Sequence, residues 1–218
     1  MNNSKLRASM FLIQRPNLVR SLMALGLVLI ADKMVFAHGN HGGVPLGGGF
    51  VAGFTHPISG LDHVVAMVAV GLWGAQLGAP ALWLLPIAFP LVMAMGAAMG
   101  LLGYPLPGVE IGIACSAIVL GLMVLLEARP PIAVSLSLVA VFALFHGHAH
   151  GTELPEGQSG LLYSLGFVLG TGLLHAAGIG IGCISHWPWG KKCLRGAGAL
   201  VMASGVYFLL NSLGIVQR

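Results

Sequence analysis

Charged residues are scarce in this chain of 218 residues. Lys and Arg together number 10, Asp and Glu number 6, and these make up 7% of the sequence, whereas a soluble domain carries about 25%. Hydrophobic residues account for 57%, and the mean hydropathy is +0.92. Such a chain cannot cover its surface with groups that water solvates. The composition therefore excludes an ordinary soluble protein.

Cysteine is also rare, and nucleotide-binding motifs are missing. The three cysteines, Cys115, Cys183 and Cys193, form no CxxC pair, which excludes a disulfide framework and a zinc ribbon. No GxxxxGK[ST] segment occurs, so the chain does not hydrolyse ATP through a P-loop. The net charge of +4 comes from basic residues near the N-terminus and around 191–195, a distribution that signals membrane topology and not binding to nucleic acid.

Long apolar runs, bounded by Gly, Pro or charge, dominate the rest of the sequence. A helix needs about 20 residues to cross a bilayer, so these runs predict six transmembrane helices. Their ranges are 47–78, 81–103, 108–127, 131–149, 160–184 and 196–215. No run alternates as strands do. We predict an all-α membrane protein that folds as one helical bundle.

The N-terminus has the layout of a secretory signal peptide. Residues 1–20 are basic, residues 21–31 form an apolar run too short to span comfortably, and Val35-Phe36-Ala37 is a small-residue cleavage pattern. We predict a signal peptide at 1–37 and a transmembrane domain at 38–218; an uncleaved first helix is the alternative. The mature chain would begin with His38 and His41, where a free amine and imidazoles can bind a transition metal. A disordered glycine-rich leader is the alternative for that segment.

The remaining basic residues test this topology, because Lys and Arg concentrate on the cytoplasmic side. With the mature N-terminus outside, Arg129 after the third span is cytoplasmic, as is the loop with Lys191, Lys192 and Arg195 after the fifth. The predicted location is the bacterial cytoplasmic (inner) membrane, with several crossings and a periplasmic N-terminus.

Ionisable residues interrupt the first span. His56, Asp62 and His63 lie within an otherwise apolar segment. A charge at bilayer depth costs at least about 2.5–3.5 kcal/mol, so such residues are functional candidates. Pro57 removes an amide donor and Gly60 loosens the turn. We therefore predict a helix break between them that turns these side chains towards a cavity, as in the discontinuous helices of transporters.

A second histidine group ends the fourth span. His146 and His150 are one helical turn apart and share a face that Glu153 continues, whereas His148 points elsewhere. His146 and His150 can therefore bind one ion, and His148 is a weaker candidate. The topology places this end of the span outside, on the side where the first span begins.

Two further residues are candidates for metal binding, and each also has a purely structural explanation. Glu110 opens the third span on the external side and could be a ligand, or a glutamate that is favourable to the helix dipole. His175 lies deep in the fifth span and could be a relay point, or a structural hydrogen-bonding residue. Imidazole and carboxylate without thiolate suit Ni(II), Co(II), Zn(II) or Fe(II).

Glycine pairs at small-xxx-small spacing predict close helix packing. These pairs are Gly96 with Gly100, Gly166 with Gly170, and Gly178 with Gly182. Pro86 and Pro90 in the second span predict a kink and carbonyls that other groups must satisfy.

Two of these motifs carry a resemblance to a known family. The first runs His-Pro-x-x-Gly-x-Asp-His from His56 to His63, and Ala66-Met67 and Gly71-Leu72-Trp73-Gly74 follow it. The second runs Phe-His-Gly-x-Ala-His-Gly-x-Glu from Phe145 to Glu153. With these motifs in this order, the chain resembles the HupE/UreJ family of nickel permeases that accompany hydrogenases and ureases.

The resemblance implies a secondary permease, not an enzyme, with Ni(II) as the transported substrate and Co(II) as the alternative ion. His56, Asp62 and His63 would be the leading positions, and His146, His150, Glu153 and Glu110 would also carry over; no cofactor would be permanently bound. The expected partners are the divalent ion and the lipid bilayer. A nickel chaperone or a metalloenzyme maturation system would receive the metal.

Two other classes share these ingredients. An intramembrane zinc-dependent hydrolase would hold zinc with three histidines and use an aspartate for proton transfer. A di-histidine haem protein would show a Soret band on purification. Tight stoichiometric zinc would distinguish the hydrolase from a permease, which must release its ion.

Overall fold

A computed structural model describes residues 48–153 and 159–216. Within these ranges the chain is helical and has no β-strand, which confirms the predicted all-α class. The helices are α1 Gly48–Ser59, α2 Leu61–Leu77, α3 Ala81–Leu101, α4 Val109–Leu125, α5 Ile132–Thr152, α6 Gly160–Gly182, a 3₁₀ turn Cys183–His186 and α7 Pro188–Ser212. The predicted signal peptide, His38 and His41 lie outside the described residues and stay predictions.

The first span is broken, as predicted, and the break falls at Gly60. Helix α1 continues through Pro57 to Ser59, Gly60 is extended with φ −89° and ψ 118°, and α2 begins at Leu61. The axes of the two helices differ by 79°. Thr55 and Ser59 donate their hydroxyls to the carbonyls of Val51 and Thr55 within α1, a pattern that often accompanies bent helices.

Each predicted span coincides with one helix or with the broken pair. Across 48–153 and 159–216, four segments are long and apolar enough to cross a membrane: Ala81–Leu101, Ile132–Thr152, Gly160–His186 and Pro188–Ser212. The α1–α2 pair is a fifth if it counts as one span. Helix α4 is apolar but has 17 residues, fewer than the usual 20 or so. The chain is built as a multi-pass membrane protein, and six crossings stay a prediction.

One predicted boundary is wrong. Lys191, Lys192 and Arg195 do not lie in a loop but in the first turns of α7, which begins at Pro188 instead of residue 196. Pro188 occupies the first helical position, where its fixed φ favours helix and its missing N–H is not needed. The residues between Pro188 and the apolar run are compatible with a helix, so the helix begins before the apolar run does.

Small residues hold the helices together in pairs. Helix α3 packs on α5, α4 packs on α7, and both α1 and α2 pack on α6. The three predicted glycine pairs all lie at these contacts. A Cβ added at Gly96 would collide with the Leu144 carbonyl, and one at Gly166 would collide with the Phe50 carbonyl. Close approach of backbones therefore depends on these glycines.

Helix α2 lies at the centre of the bundle and contacts α3, α4, α6 and α7. At its C-terminal end, Trp73 Nε1 donates to the Ala128 carbonyl at 2.9 Å, and Gln76 Nε2 donates to the Val124 carbonyl at 3.2 Å. These bonds fix the end of α4 against α2. The N-terminal end of α2 meets the C-terminal end of α5, and there the histidines gather.

Candidate metal centre

Four histidine rings form one cluster where α1, α2 and α5 meet. The His150 ring centroid lies 4.7 Å from that of His56 and 4.5 Å from that of His63, and the His63 centroid lies 4.8 Å from that of His146. His63, His146 and His150 are buried, and His56 is partly buried. The structure therefore joins the two motifs, which are more than 80 residues apart in sequence, into one site.

Three side chains in this cluster have metal-binding geometry. One ligand atom from each of His56, His150 and Glu153 can be chosen so that all three lie within 4.8 Å of one another. His56 Nε2 is 3.0 Å from Glu153 Oε2, and His150 Nδ1 is 4.0 Å from the same oxygen. An ion that enters between these atoms would replace the proton that His56 and Glu153 share.

Glu153 lies just beyond the C-terminal end of α5 and is half exposed. Its hydrogen bond to His56 is the main reason why the pKa of its carboxyl is lower than that of an ordinary glutamate; partial burial acts in the opposite direction. The side chain therefore stays a carboxylate at neutral pH and can offset part of the charge of a divalent ion.

Asp62 orients His63 within the site. The Asp62 carboxylate accepts a hydrogen bond from His63 Nδ1–H at 2.9 Å and another from the His63 backbone N–H at 2.9 Å. A proton on Nδ1 leaves the lone pair on Nε2, which is buried and has no hydrogen-bond partner within the described ranges. A carboxylate that fixes the tautomer of a ligand histidine is a common arrangement behind metal ions. Asp62 thus supports His63, and its role as a direct ligand stays a prediction.

Ser116 on α4 does the same for His146. The Ser116 hydroxyl donates its one proton to the Ile113 carbonyl at 2.6 Å, so its oxygen must accept from His146 Nε2–H at 2.9 Å. The lone pair of His146 is then on Nδ1, which is buried and unpaired as far as the described chain extends. Two of the four rings are therefore held with one nitrogen free to bind an ion.

Glu110 does not join the cluster. It is exposed in the first turn of α4, where a glutamate is favourable to the helix dipole. It does line a cavity of about 380 Å³ together with Ser59, Gly60 and Asp62. The helix break therefore faces a cavity, and Glu110 lines the same cavity as Asp62.

The two remaining histidine candidates lie elsewhere. His148 projects from the opposite face of α5, and its Nε2 donates to the Tyr104 carbonyl at 2.8 Å, which ties α5 to the segment after α3. His175 is buried on α6 and contacts the Phe89 ring, with the centroids 5.3 Å apart. Neither belongs to the group that joins His56, His150 and Glu153.

Three residues at the site were not predicted. Ser116 orients His146, and Tyr163 and Phe167 on α6 cover the outer rings, with centroids 6.0 Å from His56 and 4.1 Å from His150 respectively. The two aromatic residues are four apart on an apolar helix, a spacing that ordinary packing also produces. A serine inside the apolar α4 was the one available signal.

Comparison with known proteins agrees with the motifs. The sequence profile described as HupE / UreJ protein matches residues 21–208. Protein HupE of Rhizobium leguminosarum bv. viciae is 41% identical over 191 residues, which cover 88% of this chain and 96% of that protein. No solved structure matches. With a profile match over most of its length and a relative this similar, the chain belongs to the HupE/UreJ family.

Proposed function

We propose that the protein is a secondary permease that takes up Ni(II), with Co(II) as the alternative substrate. One observation carries the proposal: His56, His150 and Glu153, from two separate helices of a multi-pass membrane protein, bring three ligand atoms within 4.8 Å of one another. Nitrogen and oxygen ligands of this kind suit nickel and cobalt. The HupE/UreJ family is associated with nickel and cobalt uptake for hydrogenase and urease, and this association supports the same substrate here.

In the proposed mechanism, His56, His150 and Glu153 take the ion from the periplasm and replace part of its water shell. His63 and His146 then offer Nε2 and Nδ1, the nitrogens that their hydrogen bonds to Asp62 and Ser116 leave free. The membrane potential favours inward movement with a free energy of about 2.3 kcal/mol per charge per 100 mV, and roughly twice that for a divalent ion.

The direction of transport follows from the proposed topology. The mature N-terminus and the histidine cluster would lie on the periplasmic side of the inner membrane, with Arg129 and the start of α7 on the cytoplasmic side. A nickel chaperone or a hydrogenase or urease maturation system would receive the ion there. No cofactor would be permanently bound.

A membrane-embedded hydrolase is the competing class, because two histidines and a glutamate also hold catalytic zinc. The HupE/UreJ family is a transporter and accessory family, not an enzyme family, which favours the permease. Zinc content separates the two: a hydrolase purifies with one zinc per chain, and a permease loses its ion on dialysis.

The decisive experiment is radioactive nickel uptake into nickel-starved cells that express the chain. His56→Ala and His150→Ala should each abolish uptake, whereas His186→Ala, a change at an exposed histidine on the 3₁₀ turn, should leave it intact. All variants must be present in the membrane at equal abundance. Uptake by both site variants at the wild-type rate would refute the proposed site, and competition by cobalt and zinc would rank the ions.

A further inference from the structure

A second group of polar atoms is buried deeper in the bundle, beyond the histidine cluster. His175 and Thr171 lie one turn apart on α6 and are almost completely buried. Both ring nitrogens of His175 and the hydroxyl oxygen of Thr171 have no partner with hydrogen-bond geometry among the residues described. Leaving buried polar atoms unpaired is unfavourable, so a group of them in one place points to a ligand.

Helix α3 supplies a third polar atom. Pro90 has no N–H, so the carbonyl of Pro86, four residues earlier, lacks the hydrogen bond that it would accept in a regular helix. This carbonyl lies one turn before Phe89, whose ring contacts His175 with the centroids 5.3 Å apart. The imidazole and the hydroxyl on α6 and the carbonyl on α3 therefore lie in the same region of the bundle.

A single aromatic ring contacts both this group and the outer cluster. The Phe89 ring is fully buried, and its centroid lies 5.6 Å from that of His146 and 5.3 Å from that of His175. Phe89 is flanked by Pro86 and Pro90, which remove two hydrogen bonds from the backbone ladder of α3. Helices bend at such gaps, and Phe89 lies between the two prolines.

We propose that His175, Thr171 and the Pro86 carbonyl form an inner transit site for a partly hydrated divalent transition-metal ion, and that Phe89 is the gate between this site and the outer cluster. The inference rests on the proposed transport function. The inner site has no carboxylate, so it holds a divalent ion more weakly than a site that contains Glu153. Weak binding suits a transit site, because conduction requires an ion to leave as readily as it enters.

The first test distinguishes the binding of nickel from its transport. His175→Gln and wild type are compared by titration of the purified protein with NiCl₂ and by nickel uptake into proteoliposomes. His175→Gln should retain the nickel affinity of the outer site, which shows that the fold is intact, and should lose at least tenfold in uptake rate. Phe89→Ala should keep outer-site binding but release preloaded nickel from proteoliposomes several-fold faster.

The second test introduces a ligand into the inner site. Thr171→Cys adds a thiolate beside His175, and soft metal ions prefer thiolate. Cd(II) should then inhibit nickel uptake at least tenfold more strongly than in wild type. Gly172→Cys is the matched control, since a side chain added at the next residue meets open space.

The outcomes distinguish the inner site from the proposed function. Wild-type rates for His175→Gln and Phe89→Ala, with uptake still lost in His56→Ala, would overturn the inner site and leave the permease proposal intact. Equal Cd(II) sensitivity of Thr171→Cys and Gly172→Cys would overturn the inner site as well. If wild-type proteoliposomes take up no nickel, the permease proposal fails, and the transit site fails with it.

Discussion

Replacing Gly147 by alanine should damage the metal site without touching a ligand. Gly147 lies between His146 and His148 on α5, where this helix meets α3. A Cβ at this position would lie 2.7 Å from the carbonyl carbon of Met93 and would collide with its oxygen. Ordinary van der Waals contact begins near 3.4 Å, so the contact with the carbon alone requires the two backbones to separate by about 0.7 Å, and the closer oxygen requires more.

This displacement is large for a metal site but small for the fold. Metal–ligand distances tolerate about 0.2 Å, so shifting His146 and His150 relative to His56 and His63 should lower nickel affinity by about 10- to 100-fold, as the loss of an orienting partner does. Overpacking costs about 1–3 kcal/mol, and alanine recovers up to about 1 kcal/mol of helix propensity. The variant should therefore still fold.

The assay is titration of the purified protein with NiCl₂, accompanied by cellular nickel uptake at equal abundance. Gly172→Ala is the control, because it gains the same helix propensity on α6 and its Cβ meets open space. If Gly147→Ala binds and transports nickel as Gly172→Ala does, the α3–α5 contact does not set the geometry of the site.

Three further predictions follow from the same contacts. Asp62→Asn should lower nickel affinity about 10- to 100-fold, since its amide can hold the wrong tautomer of His63; an unchanged titration would contradict the role of Asp62 in orienting the ring. Nickel at 100 times its Kd should stabilise the protein by about 2.7 kcal/mol and raise its melting temperature; an equal rise in His150→Ala would place the ion elsewhere. Glu127 has a φ of +51° just after α4, a backbone conformation that favours glycine. Glu127→Gly should therefore stabilise the fold by about 1 kcal/mol and raise the melting temperature. A lower melting temperature would show that the glutamate side chain makes a stabilising contact.

Much of the fold could be predicted from the spacing of residues along the helices and from the free-energy cost of polar groups inside a membrane. A break was predicted from a proline and a glycine inside an apolar run, although α1 continues through Pro57 and the break falls at Gly60. The shared face of His146 and His150 followed from their spacing of one helical turn. Glycines four apart predicted the helix contacts because only small residues allow backbones to approach in a membrane. These features depend on neighbours in sequence, which a single chain reveals.

The arrangement across helices could not be predicted in this way. Nothing in the spacing indicates that His56 contacts Glu153, or that Ser116 on α4 determines the tautomer of His146. Asp62 reads in sequence as a ligand or as one half of a pair, and only its distance to His63 favours the pair. The start of α7 was missed because hydropathy marks where a span begins, whereas a polar helix can begin before it.

Gly60 explains why the two motifs can serve one site. In a straight helix, His56 and His63 would be separated by about 10 Å along the axis, since seven residues rise 1.5 Å each. The 79° break brings their ring centroids to 6.4 Å, and both rings then contact His150.

The backbone angles at Gly60 suit most residues, so conformational freedom is not the reason for glycine here. A Cβ would lie 2.8 Å from Asp62 Oδ1 and 3.0 Å from His63 Nδ1, within the hydrogen bond that orients the ring. The break needs a residue without a side chain because the Asp62–His63 pair occupies that space, and bend and ligand orientation therefore depend on the same residue.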